Sequence, residues 1–273
     1  MTMNLPNIPI PASNLPIFIM ILIPAFLGVV LFLYRTFNSP ARKFRKTTYH
    51  KLTHNSYQKI QDDKGAYGEY QIYQNLASYE RDGARFLFNC YLPWRSGETT
   101  EIDALMIHHS GIYVFESKNY GGTISGRPVD ESWIQTLPGK RNSKIQNSFF
   151  NPILQNRSHI NCLKQLLPKE FFTRKKGVPI YSVIAFSDHC DLKAVARQTI
   201  EYVVTTYSSL PKTVATLASK NRRALSSAEV TQIAKLLSPY MHVSTAQKRQ
   251  HNEEVQKYAE KSSSTPRKTP PRR

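Results

Sequence analysis

Hydrophobic and polar positions divide the chain into stretches of different character. Ile17–Tyr34 (IFIMILIPAFLGVVLFLY) is an apolar run of 18 residues with no charged side chain. A helix rising ~1.5 Å per residue would cover about 27 Å over that length, close to the ~30 Å of a bilayer's hydrocarbon core. Pro24 and Gly28 weaken a helix in water but are tolerated in a spanning one. The run predicts one transmembrane helix over 17–34, preceded by a short extracytoplasmic lead, 1–16. A cleaved signal peptide is the main rival; it would need basic residues before the run and a small-x-small site after it, and the sequence has neither.

Beyond the apolar run the periodicity alternates between helix and strand. Thr47–Lys64 is polar and mixed, a linker or a short helix. Tyr67–Tyr79 places Glu69, Ile72, Tyr73 and Leu76 at helical spacing. Arg85–Leu92, Thr100–His108 and Gly111–Asn119 read as strands, with a short fourth at Gly122–Arg127. Asn151–Leu167 reads as a helix with Pro152 in its first turn. Val178–Ser187 and Ile200–Thr206 are apolar, β-branched strands, and Leu225–Leu237 is a last amphipathic helix. From Ser244 the chain is polar and rich in Ser, Thr, Pro and Arg, a composition that buries no core. The predicted class is α/β, a mixed central sheet flanked by helices. The core lies over 65–170, with 171–243 completing the domain and a basic disordered tail over 244–273.

Charge sharpens this division. The 273 residues hold 37 Lys+Arg against 19 Asp+Glu, a formal net charge of +18. None of these residues lies in 1–34; 35–64 holds eight basic and two acidic residues, and 244–273 holds eight and three. Arg35, Arg42, Lys43, Arg45 and Lys46 follow the apolar run directly, making 35–64 a basic juxtamembrane linker. The positive-inside rule then puts the N-terminus outside and the rest in the cytoplasm. That linker suits anionic lipid, and the tail is a polycation for nucleic acid or lipid. Three widely spaced cysteines without a CxxC pair exclude a disulfide scaffold, a Cys-rich zinc module and a thioredoxin-type redox pair. No GxxxxGK[ST] or GxSxG occurs, so NTPase and serine-hydrolase chemistry has no support.

The candidate chemistry lies in the strand pair 100–119. Side chains alternate along a strand, so Glu101, Asp103, Leu105 and Ile107 share one face, and Ile112, Val114, Glu116 and Lys118 share another. A two-residue loop at Ser110-Gly111 puts Asp103 diagonal to Glu116; a loop at His109-Ser110 puts them directly opposite. Either brings both carboxylates and Lys118 together. Paired carboxylates at the end of an apolar face repel one another and lose hydration. A hard divalent cation such as Mg²⁺ or Mn²⁺ would relieve that conflict; an Asp-Lys-Glu salt-bridge patch is the alternative. Glu69 on an apolar helical stripe is either a partner to Lys/Arg or a member of a metal site. Gln155 and His159 are i,i+4 neighbours. His108 and His109 lack an HxxxH or Cys partner and read as hairpin residues.

Taken in order, Gly65-x-x-Gly68-Glu69, Glu101-Ile102-Asp103, Gly111-Ile112-Tyr113-Val114-Phe115-Glu116-Ser117-Lys118-Asn119, Gly122 to Gly126, Trp133, and Asn151-Pro152 through Gln155 and His159 resemble the NERD, or nuclease-related, domain. That family resembles the PD-(D/E)xK nucleases of restriction-endonuclease-like fold. The likeness covers about 65–167. It implies that Asp103 is a metal-binding Asp, that Glu116-x-Lys118 is the ExK element, and that Glu69 and Gln155 match the first-helix Glu and the helical Gln. Ile102 stands where the motif has Pro. By this resemblance Asp103 and Glu116 would hold Mg²⁺ or Mn²⁺, Glu69 would complete the shell or hold a second ion, Lys118 would orient water or stabilise phosphorane charge, and Gln155 would position a phosphate or Lys118.

The functional expectation is a membrane-anchored, metal-dependent nuclease facing the cytoplasm, acting on DNA in preference to RNA. The alternative is a non-catalytic membrane-anchored module that keeps the fold and holds nucleic acid or a protein partner. Two basic runs beside aromatics are candidate backbone contacts: Lys140, Arg141 and Lys144 before Phe149-Phe150, and Arg174, Lys175 and Lys176 after Phe171-Phe172. A solvated loop next to a core aromatic is the competing reading at each.

Overall fold

The computed structural model describes residues 15–37, 39–94, 98–174, 177–195, 199, 201–241 and 243, and divides into two units at Thr47/Thr48. The first 14 residues of the lead and the basic tail from Ser244 lie outside the described residues. In the first unit, α1 (Leu15–Phe37, 23 residues) overlaps the predicted span, and α2 (Pro40–Arg45) follows with Ser39 as its N-cap. Side chains are described in α1 only over 22–32, 34 and 35, all of them exposed. Among the described residues no helix is long and apolar enough to cross a membrane.

The second unit begins inside the stretch read as linker. Two short helices form there, α3 (Thr48–Thr53) and α4 (Tyr57–Asp62). Tyr49 is the reason they fold in: it is fully buried, with ring contacts at 5.5 Å to Tyr70 and 4.8 Å to Phe88. Asp63 then caps α5 (Lys64–Leu76), its carboxylate accepting from Gly65 N at 2.9 Å and Ala66 N at 3.0 Å. A 3-10 turn, Ala77–Asp82, replaces the predicted last turn and ends at Gly83 with φ 82°.

β1 (Arg85–Pro93), β2 (Thr99–His108) and β3 (Gly111–Lys118) form an antiparallel meander. β7 (Ile180–Phe186) and β9 (Tyr202–Thr206) extend it in parallel, giving a five-stranded mixed sheet of order β1-β2-β3-β7-β9. A second, four-stranded sheet of order β6-β5-β4-β8 holds β4 (Gly122–Gly126), β5 (Ser132–Pro138), β6 (Lys144–Phe150) and β8 (Cys190–Val195). α6 (Pro152–Leu166) and the one-turn α7 (Glu170–Thr173) lead into β7, and α8 (Leu210–Lys220) and α9 (Ser227–Leu237) close the unit. A core of Ile124, Trp133, Ile153, Phe186, Leu192 and Val204 joins the second sheet to the first. This mixed α/β architecture fits a nuclease-like core.

β3 is buried from Gly111 to Glu116, because helices cover it on both sides. α5 meets Ser117, where a Cβ on Gly68 would lie 2.2 Å from Ser117 Oγ. α6 meets the alternate residues Glu116 and Lys118 through His159 and Gln155. Alternation along a strand places these contacts on opposite faces. β5, β6, β8 and α8 were not predicted from the sequence.

Candidate functional site

The loop between β2 and β3 is His109-Ser110, since the register pairs His108 with Gly111 and Ala104 with Phe115. One step further along that register, Asp103 stands directly opposite Glu116. The glycine is not a turn residue. Gly111 (φ 138°) begins β3, and a Cβ there would lie 2.5 Å from the Pro179 carbonyl. Its role is to let the chain before β7 approach closely.

Asp103, Glu116, Lys118 and Gln155 come together at this end of the sheet. Asp103 is partly exposed, and its Oδ2 accepts from the Ser117 backbone N–H at 2.7 Å. Glu116 is 1% exposed; its Oε1 accepts from Lys118 Nζ at 2.6 Å. Gln155 Oε1 accepts from the same ammonium at 3.2 Å. Glu116 Oε2 is buried, accepts no hydrogen bond from the described residues, and has His159 Nδ1 3.5 Å away. His159 is the residue to which sequence reasoning gave no task of its own. Its i,i+4 spacing from Gln155 was the available signal, and the two straddle the Glu116–Lys118 pair.

The helix that presents these groups is pinned at its start. Asn151 is fully buried: its Oδ1 accepts from Ile153 N at 2.9 Å, and its Nδ2 donates to the Asp130 carbonyl at 2.6 Å. Pro152 follows at the first helical position, where its missing N–H costs nothing. One turn on, Asn156 Nδ2 donates at 2.9 Å to both Val114 O and Ser182 Oγ, tying α6 to β3 and β7.

Glu69 is held by different hydrogen-bond partners. It lies on α5, and its Oε2 accepts from Tyr49 Oη at 3.0 Å and Asn89 Nδ2 at 2.9 Å. Asn89 leaves the β1–β2 ladder with φ 49°, at the position opposite Asp103 in the strand register. Among the described residues no three His, Cys, Asp or Glu side chains are grouped to hold an ion. His108 and His109 belong to the hairpin, as expected from sequence, with His109 Nδ1 3.2 Å from Leu225 O. A groove of about 760 Å³ lies around them, lined also by Arg174, Arg222 and Arg223.

The electrostatics follow from burial and like charge. Burial, then Glu116, push Asp103 up to about 8, against the opposing pull of Lys118 and the Ser117 N–H. Burial also raises Glu116, with Lys118 opposing. Lys118 loses hydration, yet Glu116 and Asp103 outweigh that and hold its pKa above the usual lysine value. Burial, then Asp103 and Glu101, raise Glu69 well above the carboxylate range. Two carboxylates that resist ionisation, one with an unsatisfied buried oxygen, are a donor set suited to a hard divalent cation.

Residues 64–187 match the nuclease-related domain. The matched stretch contains Glu69, Asp103, Glu116, Lys118 and Gln155, so the grouped carboxylates and the lysine lie within the part of the chain that is similar to that family. The chain is also 31% identical over 151 residues to an uncharacterised protein of Bacillus anthracis. That match covers 55% of this chain and 66% of the relative, just under two thirds of the relative's length. No solved structure matches the chain.

Proposed function

We propose that this protein is a membrane-anchored nuclease that hydrolyses phosphodiester bonds of nucleic acid, DNA in preference to RNA, with the help of Mg²⁺ or Mn²⁺. One observation carries the reading: Lys118 Nζ lies 2.6 Å from the buried Glu116 carboxylate, and the β2–β3 register, continued one step past Ala104–Phe115, sets Asp103 opposite it. The match to the nuclease-related domain supports it. A salt-bridge patch at a strand end would be open to water, whereas Glu116 is 1% exposed.

Asp103 and Glu116 would hold the cation between β2 and β3. When bound, it would supply Lewis acidity toward a phosphoryl oxygen and lower the pKa of a coordinated water. Lys118 carries a fixed positive charge for the developing phosphorane oxygens, and Gln155 holds that ammonium in place. The Ser117 N–H keeps Asp103 turned toward β3. Glu69 buttresses Asn89 behind Asp103. The apolar run 17–34 anchors the chain, and Arg35, Arg42, Lys43, Arg45 and Lys46 keep the catalytic domain in the cytoplasm.

The test uses the full chain in neutral detergent, with Mg²⁺ or Mn²⁺, on duplex DNA, single-stranded DNA and RNA. Cation-dependent cleavage is expected, and Asp103→Asn and Glu116→Gln are expected to abolish it while remaining folded. Unchanged cleavage by Asp103→Asn would sink the assignment. A chain that cleaves nothing, and whose melting temperature ignores both cations, is the binding module instead. Carbonate extraction tests the anchor: release from the membrane pellet would remove it.

A further inference from the structure

We propose that the β5–β6 hairpin is an arm that tracks the phosphate backbone of nucleic acid, with Lys140, Arg141 and Lys144 as its phosphate contacts. The inference rests on the nuclease reading above and names the surface that delivers substrate to the Asp103–Glu116 site.

The arm is built for contact rather than for the core. Among the described residues β6 pairs only with β5 and forms the edge of its sheet. Every residue from Lys140 to Ser148 is exposed, so neither face of the strand is covered. No Asp or Glu occurs between Glu131 and Glu170. Among the described residues the three cations make no ion pair. A single edge lysine would suffice to discourage strand pairing. Here, however, two of the three cations sit in the turn, where no edge needs protection.

The tip is also closed and held. Arg141 and Asn142 take left-handed φ values of 52° and 62°. Ser143 N donates to Lys140 O at 3.1 Å, and Gly139 N to Ser143 O at 2.8 Å. The root is rigid: Trp133 is fully buried, stacks 6.3 Å from Phe186, and donates its indole N–H to Arg127 O at 2.9 Å. Phe149 packs 4.9 Å from Tyr120, leaving Phe150 exposed beside it. β6 then runs straight into Asn151, the cap of the helix that carries Gln155. Arm and site therefore share one foundation. A seven-residue strand spans about 20 Å, over which duplex DNA presents roughly a dozen charges.

The other basic run beside aromatics is used differently. Phe171 is core, and Arg174 lies 4.9 Å over its ring and 2.8 Å from Glu229. That guanidinium ties the end of α7 to α9, which favours the competing structural reading for it. Lys175 and Lys176 lie outside the described residues.

The experiment compares the full chain in neutral detergent with Lys140→Ala/Arg141→Ala/Lys144→Ala, titrating a labelled 30-mer duplex at several salt concentrations without divalent cation. The triple variant is expected to bind about tenfold or more weakly, and its log K against log salt slope is expected to fall by about 2 to 3, near 0.9 per lost phosphate contact. Unchanged affinity and slope overturn the arm. So does a variant that binds DNA normally but loses phosphatidylserine vesicles, because the face is then a lipid contact. A photoreactive side chain at Ile145 is expected to crosslink to the duplex, and no crosslink with bound DNA counts against the arm even if the triple variant misfolds. Cleavage separates the two readings. A wild type that cleaves, beside a triple variant that binds and cleaves equally, removes the arm alone. A wild type that never cleaves, beside a weakened triple variant, removes the nuclease and leaves the arm as a binding surface.

Discussion

Lys118 Nζ lies 2.6 Å from Glu116 Oε1, and this ammonium is the counter-charge of a carboxylate that is only 1% exposed. Removing one partner of a buried ion pair strands the other charge, which typically costs about 3–5 kcal/mol. Lys118→Met is therefore expected to lower the unfolding free energy by roughly that amount near neutral pH, as read from urea midpoints. Adding Glu116→Gln to Lys118→Met is expected to recover part of the loss. A double variant no more stable than the single one would show that the ammonium does not neutralise Glu116.

Asp103 gives the fold an unusual pH dependence. Its carboxyl is pushed up to about 8, by burial first and then by Glu116, against ~3.9 in the unfolded chain. Between those values the folded state keeps a proton that the unfolded state has released. Stability from this group is thus complete below about pH 4 and falls as pH rises toward 8. Glu116 and Glu69, both also raised, act in the same direction. With divalent cations chelated, the melting temperature is expected to fall from pH 5 to pH 8, and Asp103→Asn is expected to flatten part of that slope. A slope identical in wild type and variant would remove Asp103 as its source.

How much of this was legible in the sequence depended on whether a residue's partner was local. Strand alternation and an even loop were enough to bring Asp103, Glu116 and Lys118 together, because both loop choices keep the parity of the pair. The glycine at 111 answers to Pro179, distant in sequence, whose carbonyl claims the space a Cβ would take there, and not to the turn. The second sheet was missed for a related reason. β6 has no apolar alternation to read, since it is exposed on both faces. Tyr49 sat in a polar stretch, and its burial against Phe88 is a long-range fact. The pairing of His159 with Glu116 likewise needed the crossing of α6 over β3.

Gly68 shows why α5 carries a Gly before its Glu. Ser117 Oγ and Tyr207 Oη, 2.8 Å apart, fill the space a Cβ would take, at 2.2 and 2.6 Å. The same Ser117 donates its N–H to Asp103. Gly68→Ala is expected to cost about 1–3 kcal/mol of stability through overpacking and to weaken cation binding by shifting Ser117. Gly65→Ala places a Cβ 3.3 Å from Asp63 Oδ1 and is expected to change stability by less than about 1 kcal/mol. Calorimetric melting with and without Mg²⁺ checks both. Equal effects at the two glycines would refute the close-packing account.

Glu69 is held by partners other than those around the carboxylates on β2 and β3. Its Oε2 accepts from both Tyr49 Oη and Asn89 Nδ2, so it joins α3 to the point where β1 leaves its ladder opposite Asp103. Burial raises it well above the carboxylate range, and the charges of Asp103 and Glu101 add to that; the neutral acid form is the one the site favours. Glutamine keeps an acceptor oxygen for both donors and carries no charge to desolvate. Glu69→Gln is therefore expected to retain stability at pH 8 or gain it, and to cost less than about tenfold in cation-dependent cleavage. Glu69→Ala, which leaves Tyr49 and Asn89 without that acceptor, is expected to lose about 1–3 kcal/mol. Loss of cleavage in Glu69→Gln as complete as in Asp103→Asn, with stability intact, would instead make Glu69 a ligand of the cation.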